Sequence, residues 1–187
     1  MRVIAGKAKG RKLKSVPGTG TRPITDRAKS ALFSILGSDV IGSRFLDLFA
    51  GTGQVGIEAL SRGAEEAVLV EQAGPALRTI RANLAHTKLA DSARVVRADV
   101  FAFLAHPSEP FGYVYVAPPQ YQGLWARTLQ MLDAEGGWLV EDGWVIVQIH
   151  PREYEDLSLE RLRLFDQRAY GSVMLCFYAR TEEEGDG

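Results

Sequence analysis

One stretch constrains this chain more than any other: Phe45-Leu-Asp-Leu-Phe-Ala-Gly-Thr-Gly-Gln-Val-Gly-Ile-Glu-Ala-Leu60. Phe45 to Ala50 is an apolar run with one carboxylate, Asp47, near its end, and it reads as a buried parallel strand. It breaks into Gly51-Thr52-Gly53, where the chain can turn tightly and bring bare backbone close to a ligand. Val55, Ile57, Ala59 and Leu60 then resume as a helix packing back on the sheet. Such a unit places backbone N–H groups and a helix N-terminus at the carboxyl end of a strand, where nucleotide-like ligands bind in open α/β sheets.

The strand–helix alternation continues. Strands are expected at 65–71, 93–98, 113–116 and 144–149, with helices opening at Pro75, over 101–104 and over 124–132. A closing pair, 157–170 and 173–179, joins at Gly171. This order indicates a mostly parallel sheet with helices on both faces. Ahead of it, Thr25 can cap a helix running to Leu36 and stopped by Gly37.

Charge divides the chain unevenly. The net charge of −1 hides nine basic residues against Asp26 alone in the first 29 positions: Arg2, Lys7, Lys9, Arg11, Lys12, Lys14, Arg22, Arg27 and Lys29. Residues 2–16 read as a short hairpin or extended arm, Pro17 to Gly20 as a turn or hinge, and Arg27 and Lys29 as a continuation of the arm's basic surface. A basic arm on an acidic body points to a polyanion contact, with nucleic acid the leading candidate. The expected organisation is therefore a basic arm over 1–20, one domain over 21–181 and a frayed acidic tail over 182–187. Cys176 stands alone in an apolar run, so a buried thiol in a reducing cytoplasm is expected rather than a disulfide. No apolar run approaches a membrane span, and no leader is expected.

Two further strand ends carry acids. Glu71 lies twenty residues beyond Gly51, the distance at which a carboxylate can accept hydrogen bonds from both hydroxyls of a ribose; the other reading is a charge at a helix N-terminus. Asp99 reads either as a helix N-cap or as a ligand contact. The fourth strand runs into Ala117-Pro118-Pro119-Gln120-Tyr121, and two prolines there make a stiff loop whose carbonyls point in fixed directions. An acid inside the first strand gives a diphosphate nothing, whereas a cationic ligand gains from it, which disfavours a nicotinamide cofactor.

The glycine-turn stretch resembles motif I of the class I S-adenosylmethionine-dependent methyltransferases. The proline loop resembles their Asp/Asn-Pro-Pro-Tyr/Phe motif, with Ala117 in the polar position, Gln120 in the aromatic one and Tyr121 one place later. Arg2-Val-Ile-Ala-Gly-Lys7, Gly10-Arg-Lys-Leu13, Arg22-Pro-x-Thr25-Asp-Arg27, Leu32-Phe33 and Tyr170-Gly171 stand in the order found in bacterial 16S ribosomal RNA guanine-N2 methyltransferases of the RsmD type. The resemblance implies a Rossmann-like, seven-stranded class I sheet and S-adenosylmethionine as methyl donor. It implies Asp47, Phe49, Ala50, Gly51, Thr52, Gly53, Val55, Glu71, Gln72, Asp99 and Val100 as cofactor contacts. Ala117, Pro118, Pro119, Gln120 and Tyr121 would hold the reacting base, the last by stacking. Its partner would be 16S ribosomal RNA or the assembling small subunit, touched by the basic arm, with a cytoplasmic monomer expected.

Other chemistry finds little support. His86, His106 and His150 are scattered without a companion cysteine, so no metal site is expected. His150, after the fifth strand and before Pro151, reads as a structural residue. Because Ala117 removes an acceptor, a non-catalytic RNA- or ribosome-binding protein is the alternative, and a methyltransferase of a small molecule or of DNA adenine is a third reading.

Overall fold

The computed structural model describes residues 1–18, 23–106 and 108–182. Arg22, the Thr19–Gly20 end of the expected hinge and positions 183–187 of the acidic tail lie outside the described residues.

Seven strands form one sheet: β1 (Arg44–Asp47), β2 (Glu66–Glu71), β3 (Ala93–Arg97), β4 (Phe111–Val116), β5 (Leu139–Ile149), β6 (Leu162–Tyr170) and β7 (Val173–Arg180). Their spatial order is β3-β2-β1-β4-β5-β7-β6. The first five are parallel, and β7 runs antiparallel between β5 and β6. The expected mostly parallel seven-stranded sheet is borne out. The helices are α1 (Asp26–Leu36), α2 (Gln54–Ser61), α3 (Gly74–Thr87), α4 (Val100–Leu104) and α5 (Leu124–Glu135). One core gathers Leu32 and Phe33 of α1, Ile57 of α2 and Ile80 of α3 on one face of the sheet; the other gathers Leu104 of α4 and Trp125 and Leu129 of α5.

The α1 boundaries follow the sequence. Thr25 Oγ1 accepts from Ala28 N at 3.1 Å, and Gly37 ends the helix at φ 58°. Four strand boundaries differ from expectation by two residues or more: β1 ends at Asp47 rather than Ala50, β4 begins at Phe111 rather than Tyr113, and the starts of β5 and β6 move further. β5 begins at Leu139, five residues before Trp144, because Glu141, Asp142 and Gly143 ride through it as an irregularity that hides the apolar pattern. Gly143 lies where a Cβ would sit 3.0 Å from the Phe111 carbonyl. β6 begins at Leu162 rather than 157, and the Asp133 carboxylate fixes that start by accepting from Glu160 N, Arg161 N and Leu162 N.

The amino-terminal segment folds back on itself and onto the sheet's α1–α3 face. Arg2 bridges Lys12 antiparallel, while Val3 N donates to Arg11 O at 3.0 Å and Gly10 N to Val3 O at 2.9 Å. Val3, Ala8 and Leu13 are buried in the same core as α1 and α2. The polar anchors are on α2: Glu58 accepts from Ile4 N and Ala5 N, and Ser61 accepts from Ala8 N and donates to Ala5 O.

Lys29 corrects the sequence reading. It does not continue a basic surface; its side chain is fully buried, and Nζ donates to Arg2 O at 2.7 Å and Gln54 Oε1 at 3.1 Å. Its charge faces Glu58 Oε1 at 3.6 Å. Burial lowers the Lys29 pKa, against the Glu58 charge, which raises it. An ammonium enclosed in this way ties α1, α2 and the arm together and has no surface left for a phosphate.

Candidate functional site at the switch point of the sheet

In the observed strand order, β1 leads to β2 on one side while β4 lies on the other. The carboxyl ends of β1 and β4 therefore open a crevice where ligands settle in sheets of this kind. Asp47 ends β1, Glu71 ends β2, and Ala117 to Tyr121 follow β4, all at this edge.

The glycine turn is built as its sequence requires. Gly51 and Gly53 adopt φ of 58° and 81°, and Gly53 caps α2. A Cβ on Gly56 would lie 3.0 Å from Leu69 Cδ2, so this third glycine lets α2 press against the sheet. Asn83 of α3 donates to Thr52 O at 2.9 Å, and Thr52 Oγ1 accepts from Gln54 N. Ala50 and Val55 are buried around the turn, Phe49 is half-buried and Gln72 is exposed.

Asp47 is the electrostatic centre. It is 1% exposed; Oδ2 accepts from Gly56 N at 3.3 Å, whereas Oδ1 has no partner among the described residues. Burial pushes its carboxyl up to about 7, with the Glu71 charge adding to the rise and the Gly56 N–H opposing it. A buried carboxylate with an unpaired oxygen suits a cation at the turn. In-register Tyr115 on β4 is likewise buried, and burial, with the Asp47 charge, raises its phenol well above the ordinary range. Its hydroxyl donates to Gln148 Oε1 on β5.

Glu71 sits as a charge at the amino-terminal end of α3 and also holds the glycine turn. Oε2 accepts from Gly51 N at 2.9 Å, and Oε1 accepts from Gln72 N and Ala73 N at 3.1 Å, just ahead of α3. A carboxylate offers about four lone-pair sites, so ligand hydroxyls can still be accepted. Asp99 is the N-cap of α4: Oδ1 accepts from Phe101 N and Ala102 N, and Val100 begins the helix buried.

Across the crevice, Ala117, Pro118 and Pro119 are half-buried, and Gln120 and Tyr121 are exposed. Tyr121 holds φ of 61° and is 64% exposed. Its backbone N–H donates to Glu153 Oε1 at 2.6 Å, and its ring lies 5.8 Å from that of His150. Glu153 Oε2 accepts from His150 N at 3.0 Å, and His150 Nδ1 accepts from Arg152 N. The loop after β5 therefore clamps the proline loop through one carboxylate. Sequence reasoning missed Glu153; its signal is the four-residue run His150-Pro-Arg-Glu153, a capping pattern. A cavity of about 200 Å³ lined by Leu132, Trp138, Arg161 and Arg180 includes none of these residues.

The expected basic contacts are placed as follows. Lys7, Lys9, Lys12, Lys14 and Arg27 are exposed, Arg2 pairs with Asp26 at 3.4 Å, and Arg11 Nη1 donates to His86 O at 2.7 Å. No group of His, Cys, Asp and Glu suited to a metal occurs among the described residues, and none of their helices is long and apolar enough to cross a membrane.

Known proteins resemble the chain over nearly its full length. YlbH of Bacillus subtilis is 41% identical, with 96% of this chain and 99% of that protein covered. Ribosomal RNA small subunit methyltransferase D of Escherichia coli is 37% identical, covering 91% of this chain and 87% of its own. The solved structure of yhhF from Escherichia coli superposes with a TM-score of 0.86 at 33% identity, covering 98% of this chain and 99% of that one. The family described as "Conserved hypothetical protein 95" matches residues 1–179, and the RsmD-type resemblance carried by the arm and the glycine turn is borne out. The chain belongs to that family.

Proposed function

We propose that this protein transfers a methyl group from S-adenosylmethionine to the exocyclic N2 amine of a guanine in 16S, small-subunit ribosomal RNA. The observation that carries the reading is the juxtaposition, across the β1–β4 crevice, of an acid-lined glycine turn and a double-proline loop. Asp47, Phe49, Ala50, Gly51, Thr52, Gly53, Val55, Glu71, Gln72, Asp99 and Val100 would hold the cofactor; the unpaired Asp47 oxygen fits its cationic groups and Glu71 fits ribose hydroxyls. When bound, S-adenosylmethionine supplies an electrophilic methyl on a sulfonium.

The chain's own residues would then manage the amine. Its lone pair is delocalised into the ring, so acceptors that draw its N–H groups toward tetrahedral geometry help more than a strong base. Pro118 and Pro119 carbonyls are available in the stiff loop, and Tyr121, held by Glu153, offers an exposed ring for stacking. Arg2, Lys7, Lys9, Arg11, Lys12, Lys14 and Arg27 would meet phosphates.

The deciding experiment is transfer of labelled methyl to small ribosomal subunits purified from cells lacking this protein, followed by nucleoside analysis. N2-methylguanosine is the expected product. Bound S-adenosylmethionine without transfer would favour a non-catalytic RNA-binding protein, the reading that Ala117 supports.

Two variants test the loop. Ala117→Asp restores an acceptor, and a charged hydrogen bond contributes about 1.5–3 kcal/mol, so kcat should rise about tenfold or more. A fall in turnover would show that the loop does not receive the amine. Glu153→Gln removes the charge that holds Tyr121 N–H and His150 N–H. Turnover should fall about tenfold with S-adenosylmethionine affinity unchanged; equal losses in both would place Glu153 in general stability instead.

A further inference from the structure

A second basic stretch lies outside the amino-terminal segment. Residues 74–98 hold Arg78, Arg81, Lys88, Arg94 and Arg97 against Asp91 alone. Outside this stretch and the first 29 residues, only eight basic residues face 21 acidic ones. Net positive charge is therefore confined to two segments, and the fold places them side by side.

The helix geometry makes the placement specific. On α3, Ala76, Leu77, Ile80, Asn83 and Leu84 are buried, leaving the opposite stripe to solvent. Arg78 and Arg81 fall on that stripe and Lys88 follows as the C-cap of α3; all three are exposed, and no ion pair engages them among the described residues. Ala93 and Val95 of edge strand β3 pack into the α3 core, so Arg97, two residues on, belongs to the same side.

The arm is joined to this helix. Asn83 is 1% exposed and grips Lys14 by both backbone groups, accepting from Lys14 N at 2.8 Å and donating to Lys14 O at 3.1 Å. Arg11 Nη1 reaches His86 O in the last turn of α3, two residues from Lys88. Arm cations and helix cations therefore share one face of an otherwise acidic body.

We propose that the arm and the outer stripe of α3 form one continuous phosphate-binding track for RNA, with Arg78, Arg81 and Lys88 as contacts additional to the arm. This rests on the proposed ribosomal RNA reading and deepens it. The occupant is RNA because the face offers spaced, unpaired cations over about 15 Å along α3 and its C-cap and little apolar surface, which suits a run of phosphates.

The test compares the protein with Arg78→Gln/Arg81→Gln/Lys88→Gln, using unmodified small-subunit ribosomal RNA as the probe over a salt series. Three lost contacts should lower the slope of log affinity against log salt by about 2 and weaken binding at least tenfold near physiological salt. Thermal stability and S-adenosylhomocysteine affinity should not change, since the three side chains are exposed and away from the glycine turn. An unchanged affinity and slope overturns the track. So does unchanged RNA binding with reduced methylation of subunit particles, which would assign the face to a ribosomal protein. Failure of the enzymatic reading is seen separately: the unaltered protein would bind RNA with the full slope yet transfer no methyl.

Discussion

Replacing Asp47 by asparagine is expected to stabilise the ligand-free protein and to weaken its hold on S-adenosylmethionine. The first effect follows from proton linkage. Burial raises the Asp47 carboxyl from 3.8 to about 7 in the folded state. Between those values the unfolded chain has released the proton while the folded chain retains it, so stability falls as pH rises through that window. Asparagine has no such proton and keeps an oxygen for Gly56 N–H. The stability gap between the two proteins should therefore open from about pH 4 to pH 7 and stay level above. A thousandfold change in proton affinity bounds it at about 4 kcal/mol. Urea unfolding at pH 5 and pH 8 measures it, and a gap of equal size at both would refute the linkage. The second effect has the opposite sign. A cation beside the unpaired oxygen favours the ionised carboxylate, so S-adenosylmethionine affinity should rise with pH through about 7. The asparagine variant should bind about tenfold to a hundredfold more weakly at pH 8 and show a flatter pH profile. A site that binds best where its apo form is least stable is what a functional constraint on this acid predicts.

Much of this site was legible because its signals are local. The run from Phe45 to Leu60 carries its strand, its positive-φ glycines and its helix in sixteen consecutive residues; the glycines and the helix form as the pattern requires, while the strand ends at Asp47, three residues before Ala50. Glu71 and Asp99 announced themselves as acids at strand ends. The residues misjudged or missed depend on partners distant in sequence. Helical spacing put Lys29 off the apolar face of α1, yet Glu58 and the Arg2 carbonyl enclose it from other elements. The only hint was Glu58 itself, a lone acid within the apolar helix that follows the glycine turn. Glu153 was passed over for a related reason: its capping pattern is local, but its bond to Tyr121 N–H spans 32 residues. Arg78, Arg81 and Lys88 were readable as a basic stretch, but only the packing of Lys14 and Arg11 against α3 joins them to the arm.

The Lys29–Glu58 cluster and the grip of Asn83 on Lys14 together make the arm a part of the body that also steadies the glycine turn. Asn83 holds Lys14 with the same amide that donates to Thr52 O. Loss of the arm should therefore be felt at the cofactor turn, and more strongly at the RNA. Truncation would confound this with deletion of the charges themselves, so a single glycine is the better probe.

Gly6→Ala is expected to pull the arm from α2. Gly6 sits at φ 87°, and a Cβ there would lie 1.8 Å from Ser61 O and 2.3 Å from Ser61 C. These are backbone atoms of a helix end, and Lys7 N donates to the same Ser61 O at 2.8 Å, so neither side can yield while the arm stays docked. Undocking strips Glu58 of Ile4 N–H and Ala5 N–H and Lys29 of the Arg2 carbonyl, leaving buried charges short of partners. Such losses cost about 3–5 kcal/mol, or roughly 10 °C in Tm for a domain of this size. Proteolysis should open new cleavage sites in the first fourteen residues, and ribosomal RNA methylation should fall far more than S-adenosylmethionine affinity. Gly10→Ala separates strain from collision: Gly10 has a similar φ of 83°, but nothing lies within 4 Å of its added Cβ. That variant should lose only about 1–2 kcal/mol and keep its arm docked. If both variants behave alike, backbone strain rather than the close approach to Ser61 governs the arm, and its attachment to α2 is looser than the Glu58 and Ser61 hydrogen bonds require.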